Sequence, residues 1–98
     1  MLHIINKSPY TNSAFDSCLR VAQDGDILLI EDAVYATATG GVSEKQVREA
    51  MKSFKIYVLQ PDLEARGIAD RVIDGIAKVD YSGFVDLVAQ NKNCQSWL

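Results

Sequence analysis

Few side chains in this sequence suit covalent or acid–base chemistry, and Cys18 has the strongest claim among them. A cysteine attacks as its thiolate, and a helix position with Lys7 and Arg20 in reach would lower its pKa and expose its sulfur. The residue also lies beside Phe15 and Leu19, where it would instead be a small buried hydrophobic residue. Spacing alone favours the buried interpretation, and both remain open at this point.

The other candidate residues have weaker claims. His3, the single histidine, is a possible base for Cys18, but its position in an apolar strand favours a hydrogen-bonded core or interface histidine. Arg66 would attract an anionic partner or form a salt bridge to a neighbouring carboxylate, which is the more ordinary use. Cys94 lies in a polar segment, N-K-N-C-Q-S, where nothing nearby activates its thiol.

Metal and cofactor signatures are weak throughout. One histidine and two distant cysteines have no zinc-ligand spacing, and no glycine-rich phosphate motif follows the first predicted strand, so we expect neither a metal nor a cofactor. Gly40 and Gly41 would form an anion-binding turn only if they followed a strand, and an ordinary loop is favoured. Adjacent carboxylates Glu31 and Asp32 point to opposite faces of a strand, which predicts solvated or capping groups.

Short apolar runs alternate with segments of helical periodicity. The predicted strands are Leu2 to Asn6, Ile27 to Glu31, Ile56 to Gln60 and Ile76 to Asp80. The predicted helices are Ser13 to Gln23, Ser43 to Phe54, a short turn from Pro61 that Gly67 ends, and Ser82 to Gln90. Capping boxes are predicted at Ser13 with Asp16 and at Ser43 with Gln46. The stretch from Ile68 to Gly75 is either a short helix or irregular.

This alternation predicts one α/β domain over residues 1–98, with three α/β/α layers and a mostly parallel sheet of four or five strands. Any site would then lie at the carboxyl ends of the strands. We expect the following side chains to be buried: Phe15, Leu19, Leu28, Leu29, Val47, Met51, Val58, Phe84 and Val88. Trp97 should dock either onto its own domain or onto a neighbouring subunit, and the neighbour is slightly favoured.

Composition excludes several classes of function. The chain has a net charge of −3 and no cluster of basic residues, so direct nucleic-acid binding is not expected. No apolar run approaches the ~20 residues that span a bilayer, and no signal peptide is recognisable, which predicts a cytoplasmic protein without membrane contact. A chain of 98 residues has a thin margin of stability, so association with partners would help.

Four segments together resemble the TusB/DsrH family of sulfur-relay subunits. They are L-H-x-x-N-K-S-P at the start, I-E-D-A-V-Y-A at 30 to 36, Y-V-L-x-P-D-L-x-A-R-G at 57 to 67 and V-D-Y-x-x-F-V-D-L at 79 to 87. Each segment alone is weak, but they keep register over nearly the whole chain.

The resemblance implies a subunit of a cytoplasmic complex that passes persulfide sulfur between donor and acceptor carrier proteins. Its implied partners are two sibling subunits, one similar to DsrE and TusD and the other similar to DsrF and TusC. Members of the sulfur-oxidation branch carry a cysteine in the first helix, and Cys18 resembles it, which favours that branch and a persulfide-carrying role. The alternatives are a structural subunit of a complex for tRNA 2-thiouridine synthesis, without standalone activity, and a flavodoxin-like module that binds a small ligand.

Overall fold

A five-stranded, all-parallel sheet forms the centre of the chain, in the order β4-β3-β2-β1-β5. The computed structural model describes residues 1–22 and 25–97. The strands are β1 (Leu2–Ile5), β2 (Gly25–Leu29), β3 (Phe54–Leu59), β4 (Ala77–Val79) and β5 (Cys94–Trp97). The predicted α/β class with a parallel sheet is therefore confirmed.

Helices connect these strands and lie on both faces of the sheet. They are α1 (Ala14–Val21), a 3₁₀-helix (Glu31–Thr37), α2 (Glu44–Ala50), α3 (Gln60–Ala65) and α4 (Tyr81–Gln90). From β1 to β4 the chain moves in one direction across the sheet, and right-handed crossovers put α1, α2 and α3 on one face, the covered face. The return from β4 to β5 puts α4 on the opposite face, the open face.

Each face has its own apolar cluster. The larger cluster fills the space between the covered face and its helices, with Ile5, Ile27 and Ile56 from the strands and Phe15 and Val47 from the helices. The smaller cluster on the open face has three buried members, namely Leu2, Leu28 and Leu87. Burial, and with it the hydrophobic contribution to stability, is concentrated on the covered face.

The expected core is largely confirmed. Five of the nine side chains are buried, namely Phe15, Leu28, Leu29, Val47 and Val58, and three more are partly buried, namely Leu19, Met51 and Phe84. Val88 is exposed, so that prediction is wrong. The reason is that, among the described elements, α4 is the one helix on the open face, so none packs beside it to enclose Val88.

Both predicted capping boxes are wrong. Neither Ser13 nor Ser43 makes a capping hydrogen bond through its side chain. Instead Asn12 Oδ1 accepts from the Ala14 N–H at 2.7 Å. Before α2, the carboxylate of Glu44 accepts from the Gly40 N–H at 2.6 Å, which holds the glycine turn in place.

Other boundaries differ in detail. The segment 94–97 is strand β5 rather than a polar tail, and Phe54 begins β3 rather than ending α2. The end of the first predicted helix at Gln23 lies outside the described residues. The stretch 68–75 is irregular, with Val72 bridging to Ala38, and Gly67 has the predicted left-handed φ of +70°. Within the described ranges no helix is long and apolar enough to cross a bilayer.

Candidate functional site

Helix α1 places Cys18 against the sheet. The helix packs on β1 and β5, and its buried positions are Phe15 and Cys18, one turn apart. The exposed fraction of Cys18 is 0%, and the residue belongs to the larger apolar cluster. Of the two interpretations that the sequence leaves open, the structure therefore shows the buried one, in which Cys18 is a small hydrophobic residue.

The electrostatic surroundings of Cys18 also oppose a reactive thiolate. Burial raises the pKa of the Cys18 thiol to about 11, because the enclosed thiolate would lose its hydration. Arg20 forms a salt bridge with Asp16 at the helix surface, and its side chain is mostly exposed. Lys7 is exposed too. Neither cation therefore lowers the pKa of Cys18 in this structure, and the thiol is neutral at physiological pH.

Cys94 is the accessible thiol of the described chain. It lies at the start of β5 and is exposed, whereas Cys18 is enclosed. Both cysteines are free. The thiol that reagents can reach in this structure is therefore that of Cys94, whereas the candidate carrier Cys18 is enclosed.

His3 is a hydrogen-bonded core histidine, as its strand position predicts. Its Nδ1 accepts from the Trp97 Nε1–H at 3.2 Å, and its ring meets the Phe54 ring in a T-shaped contact at 6.5 Å. Burial and the neighbouring N-terminal ammonium lower the pKa of His3 below its ordinary value. Trp97 consequently packs on its own domain, which is one of the two placements that the sequence leaves open.

The carboxyl ends of β2 and β3 are tied together by ion pairs and one short hydrogen bond. Arg66 forms a salt bridge to Asp32 at 2.9 Å and approaches Asp62 at 3.8 Å, which confirms the more ordinary of its two expected uses. Asp62 Oδ2 accepts from the Glu31 N–H at 2.6 Å. Glu31 has a left-handed φ of +50°, a strained conformation for a residue with a side chain.

These groups satisfy one another rather than converge on an open cavity. Asp32 faces solvent and pairs with Arg66, so it is a solvated group, as predicted. At the end of β4, Asp80 caps α4 by accepting from the Gly83 N–H at 2.8 Å. Across residues 1–22 and 25–97, no group of three or more histidine, cysteine or acidic residues is placed to hold a metal ion.

The open face presents a feature that the sequence prediction missed. Around the small cluster, Ile4, Ile30 and Tyr57 are only partly buried. Helix α4 adds exposed apolar side chains, of which Val85 is 66% exposed and Tyr81 is 61% exposed. The signal was present in the run F-V-D-L-V, which has more apolar residues than one buried stripe needs.

Known proteins match this chain over almost its whole length. The family model described as "DsrH like protein" matches residues 7–94. "Protein TusB" of Pectobacterium parmentieri is 35% identical over 99 residues, covering 99% of this chain and all of that protein. "Protein TusB" of Escherichia coli O81 is also 35% identical, over 98 residues with the same coverage.

Solved structures support the fold. The crystal structure of the ychN protein from Escherichia coli has a TM-score of 0.81 and 20% identity, covering 97% of each chain. A protein of unknown function from Methanobacterium thermoautotrophicum has a TM-score of 0.74 and 13% identity, covering 97% of this chain and 95% of that one. The architecture is that of a small parallel α/β protein. Together with the sequence matches, this shows that the chain belongs to the DsrH-like family.

Proposed function

We propose that this chain is a structural subunit of a sulfur-relay assembly, in which it supports sibling subunits that carry the sulfur. Family membership supports the sulfur-relay role, and the enclosed Cys18 is the observation that carries the structural one. A persulfide carrier must present its sulfur to a donor and then to an acceptor. A cysteine with 0% exposure and a pKa of about 11 does neither in this conformation.

The open face supports the proposal of an obligate partner. A five-stranded sheet with a single helix on one side leaves apolar strand residues such as Ile4 and Ile30 partly exposed. Tyr81 and Val85 add exposed apolar side chains on α4, the helix that lies on this face. Large exposed apolar patches are typical of protein–protein interfaces. We assign it to a sibling α/β subunit, similar to DsrE and TusD or to DsrF and TusC.

Within the family, the proposal favours tRNA 2-thiouridine synthesis in the cytoplasm. The curated relatives carry the name TusB, and the branch that thiolates tRNA generally lacks a cysteine in the first helix. A buried, unreactive Cys18 would leave this chain functionally equivalent to such a subunit. The donor and acceptor of sulfur would then meet the sibling subunits rather than this chain.

A second candidate function is persulfide carriage by Cys18 in sulfur oxidation. The presence of a cysteine in the first helix favours it, because the oxidation branch has one there. In that case α1 would have to move away from β1 and β5 before the thiol could react.

Co-expression with the sibling subunits tests the structural proposal. The wild-type chain should elute with its siblings in gel filtration, and Val85→Asp should elute alone, because a carboxylate on the open face cannot be buried without a partner. Val42→Asp is the matched control. It introduces the same change at a side chain that is 91% exposed beside α2, away from the open face.

Circular dichroism should show that both variants remain folded, since both positions are exposed. A wild-type chain that stays monomeric beside its siblings contradicts the subunit proposal. A Val85→Asp chain that still assembles contradicts the assignment of the open face.

A further inference from the structure

The edge strand β5 is held to the rest of the chain by little side-chain packing. It pairs with β1 alone, at the end of the sheet. Cys94, Gln95 and Ser96 are exposed, and Trp97 is the strand's one side chain that packs against the larger apolar cluster. A strand with a single anchoring side chain opens locally at far lower cost than the core.

The anchor is the pair Trp97 and His3. The indole Nε1–H donates to His3 Nδ1 at 3.2 Å, and the two rings lie 6.2 Å apart with a tilt of 46°. An indole nitrogen can only donate, so the bond requires Nδ1 without a proton. A proton on Nδ1 would place two donors opposite each other and a charge in a buried position.

Among the residues that the structure describes, the charged groups of the covered-face elements do not compensate such a charge. On α1, Asp16 is engaged by Arg20 at the surface and by Gln46 of α2. The Cys18 thiol is neutral, and Cys94 at the far end of β5 is exposed.

The remaining nearby charges lie on the open face or repel the imidazolium. Asp26 of β2 accepts from Asn91, and Lys55 of β3 lies over the Tyr57 ring, both on the side away from His3. The N-terminal ammonium disfavours a positive charge on His3. Protonation of His3 in the closed conformation is therefore opposed by these surroundings.

We propose that β5 is a pH-sensitive latch: the Trp97–His3 hydrogen bond keeps it on β1 at neutral pH, and protonation of His3 releases it in mildly acidic solution. Release uncovers the edge of β1 and removes one of the two strands beneath α1. The uncovered edge has unpaired backbone groups, which another extended chain can bind.

The direction of the pH effect follows from linkage. In the closed conformation the pKa of His3 lies below its ordinary value of 6.5, and release returns it toward that value. The open form therefore binds more protons, so closure is favoured above pH 6.5 and is weakened as the pH falls below it. Between about pH 7.5 and about pH 5.5 the opening equilibrium should rise by up to about tenfold.

Fluorescence quenching tests the latch, because Trp97 is the single tryptophan. The quenching constant for acrylamide, a neutral molecule, should rise reversibly several-fold over that pH range in the wild-type chain. His3→Gln keeps an amide oxygen as acceptor but does not titrate, so its constant should not change with pH. A flat wild-type response, or an equal rise in His3→Gln, overturns the proposal.

Amide hydrogen exchange separates local release from unfolding and does not depend on His3→Gln folding. After correction for intrinsic rates, acid should accelerate exchange in β5 and β1 while β3 stays protected. Trp97→Phe keeps an aromatic ring without the N–H, so its β5 should exchange rapidly already at neutral pH. Equal loss of protection in β3, or a Trp97→Phe strand as protected as the wild type, contradicts the latch.

Discussion

Cys18 is the residue on which the functional interpretation depends. Its side chain is enclosed between α1 and the sheet, where a thiol behaves as a small apolar group and the thiolate is costly. Position within a helix is therefore insufficient to make a cysteine reactive. A reactive thiolate also needs exposure and a stabilising cation. Cys18 is enclosed, and Arg20 pairs with Asp16 instead of with the thiol.

Alkylation rates should show this difference directly. The chain with Cys94→Ser retains only Cys18 and should react at least tenfold more slowly near pH 8 than the chain with Cys18→Ser, by an order-of-magnitude argument from thiolate fraction and access. The rate at Cys18 should keep rising toward its pKa of about 11. Iodoacetamide labelling followed by mass spectrometry measures both rates, and denatured samples provide the control. Faster labelling of Cys18 than of Cys94 would contradict its enclosure.

For single residues, the sequence predicted the kind of interaction each side chain makes better than it predicted the partner. The preference for a hydrogen-bonded His3 and for a salt bridge at Arg66 could be argued from strand position and from charge alone. The partner of His3 could not, because Trp97 is 94 positions away and only the sheet order brings the two together. The burial of Cys18 could not be decided either, because its spacing favours the buried face of α1 without excluding the exposed one.

The 3₁₀-helix and α3 are joined by a partly buried carboxylate as well as by apolar packing. The side chain of Asp62 is 18% exposed, accepts from the Glu31 N–H and lies near Arg66. Asp32, on the same arginine, is 61% exposed. The two carboxylates therefore contribute differently to stability despite sharing a partner.

Substitution to alanine should separate them. Asp62→Ala leaves the Glu31 N–H without its acceptor and should lower the free energy of unfolding by about 1–3 kcal/mol. Asp32→Ala removes an exposed ion pair and should cost less than about 1 kcal/mol. Urea denaturation followed by circular dichroism measures both, and equal losses would mean that the hydrogen bond to Glu31 is unimportant.

The predicted elements and the observed ones differ where local signals compete. Ser13 and Ser43 have capping-box spacing, yet Asn12 accepts from the Ala14 N–H at the start of α1, and Glu44 accepts from the Gly40 N–H in the turn before α2. Strand β5 has exposed polar residues and only one apolar anchor, so its sequence has no strand periodicity. Its formation depends on pairing with β1, which is a tertiary effect.

For the whole molecule, alternation of strands and helices was enough to predict a parallel α/β sheet, because right-handed crossovers allow few other arrangements. The strand order was not predictable, and it decides how many helices cover each face. With β4 and β5 at opposite edges, α4 alone crosses the open face. The apolar surface that remains is what makes a subunit role physically reasonable.

The most direct test of the structural role is sulfur loading of the assembled complex. The complex is prepared with Cys94→Ser in this chain, incubated with a sulfane-sulfur donor and analysed by intact mass spectrometry. We predict that a sibling subunit gains about 32 Da while this chain gains nothing, and that Cys18→Ala leaves the rate of sulfur transfer within about twofold of the wild type. A gain of about 32 Da on Cys18, with transfer lost in Cys18→Ala, would contradict the structural role and establish the cysteine as a carrier.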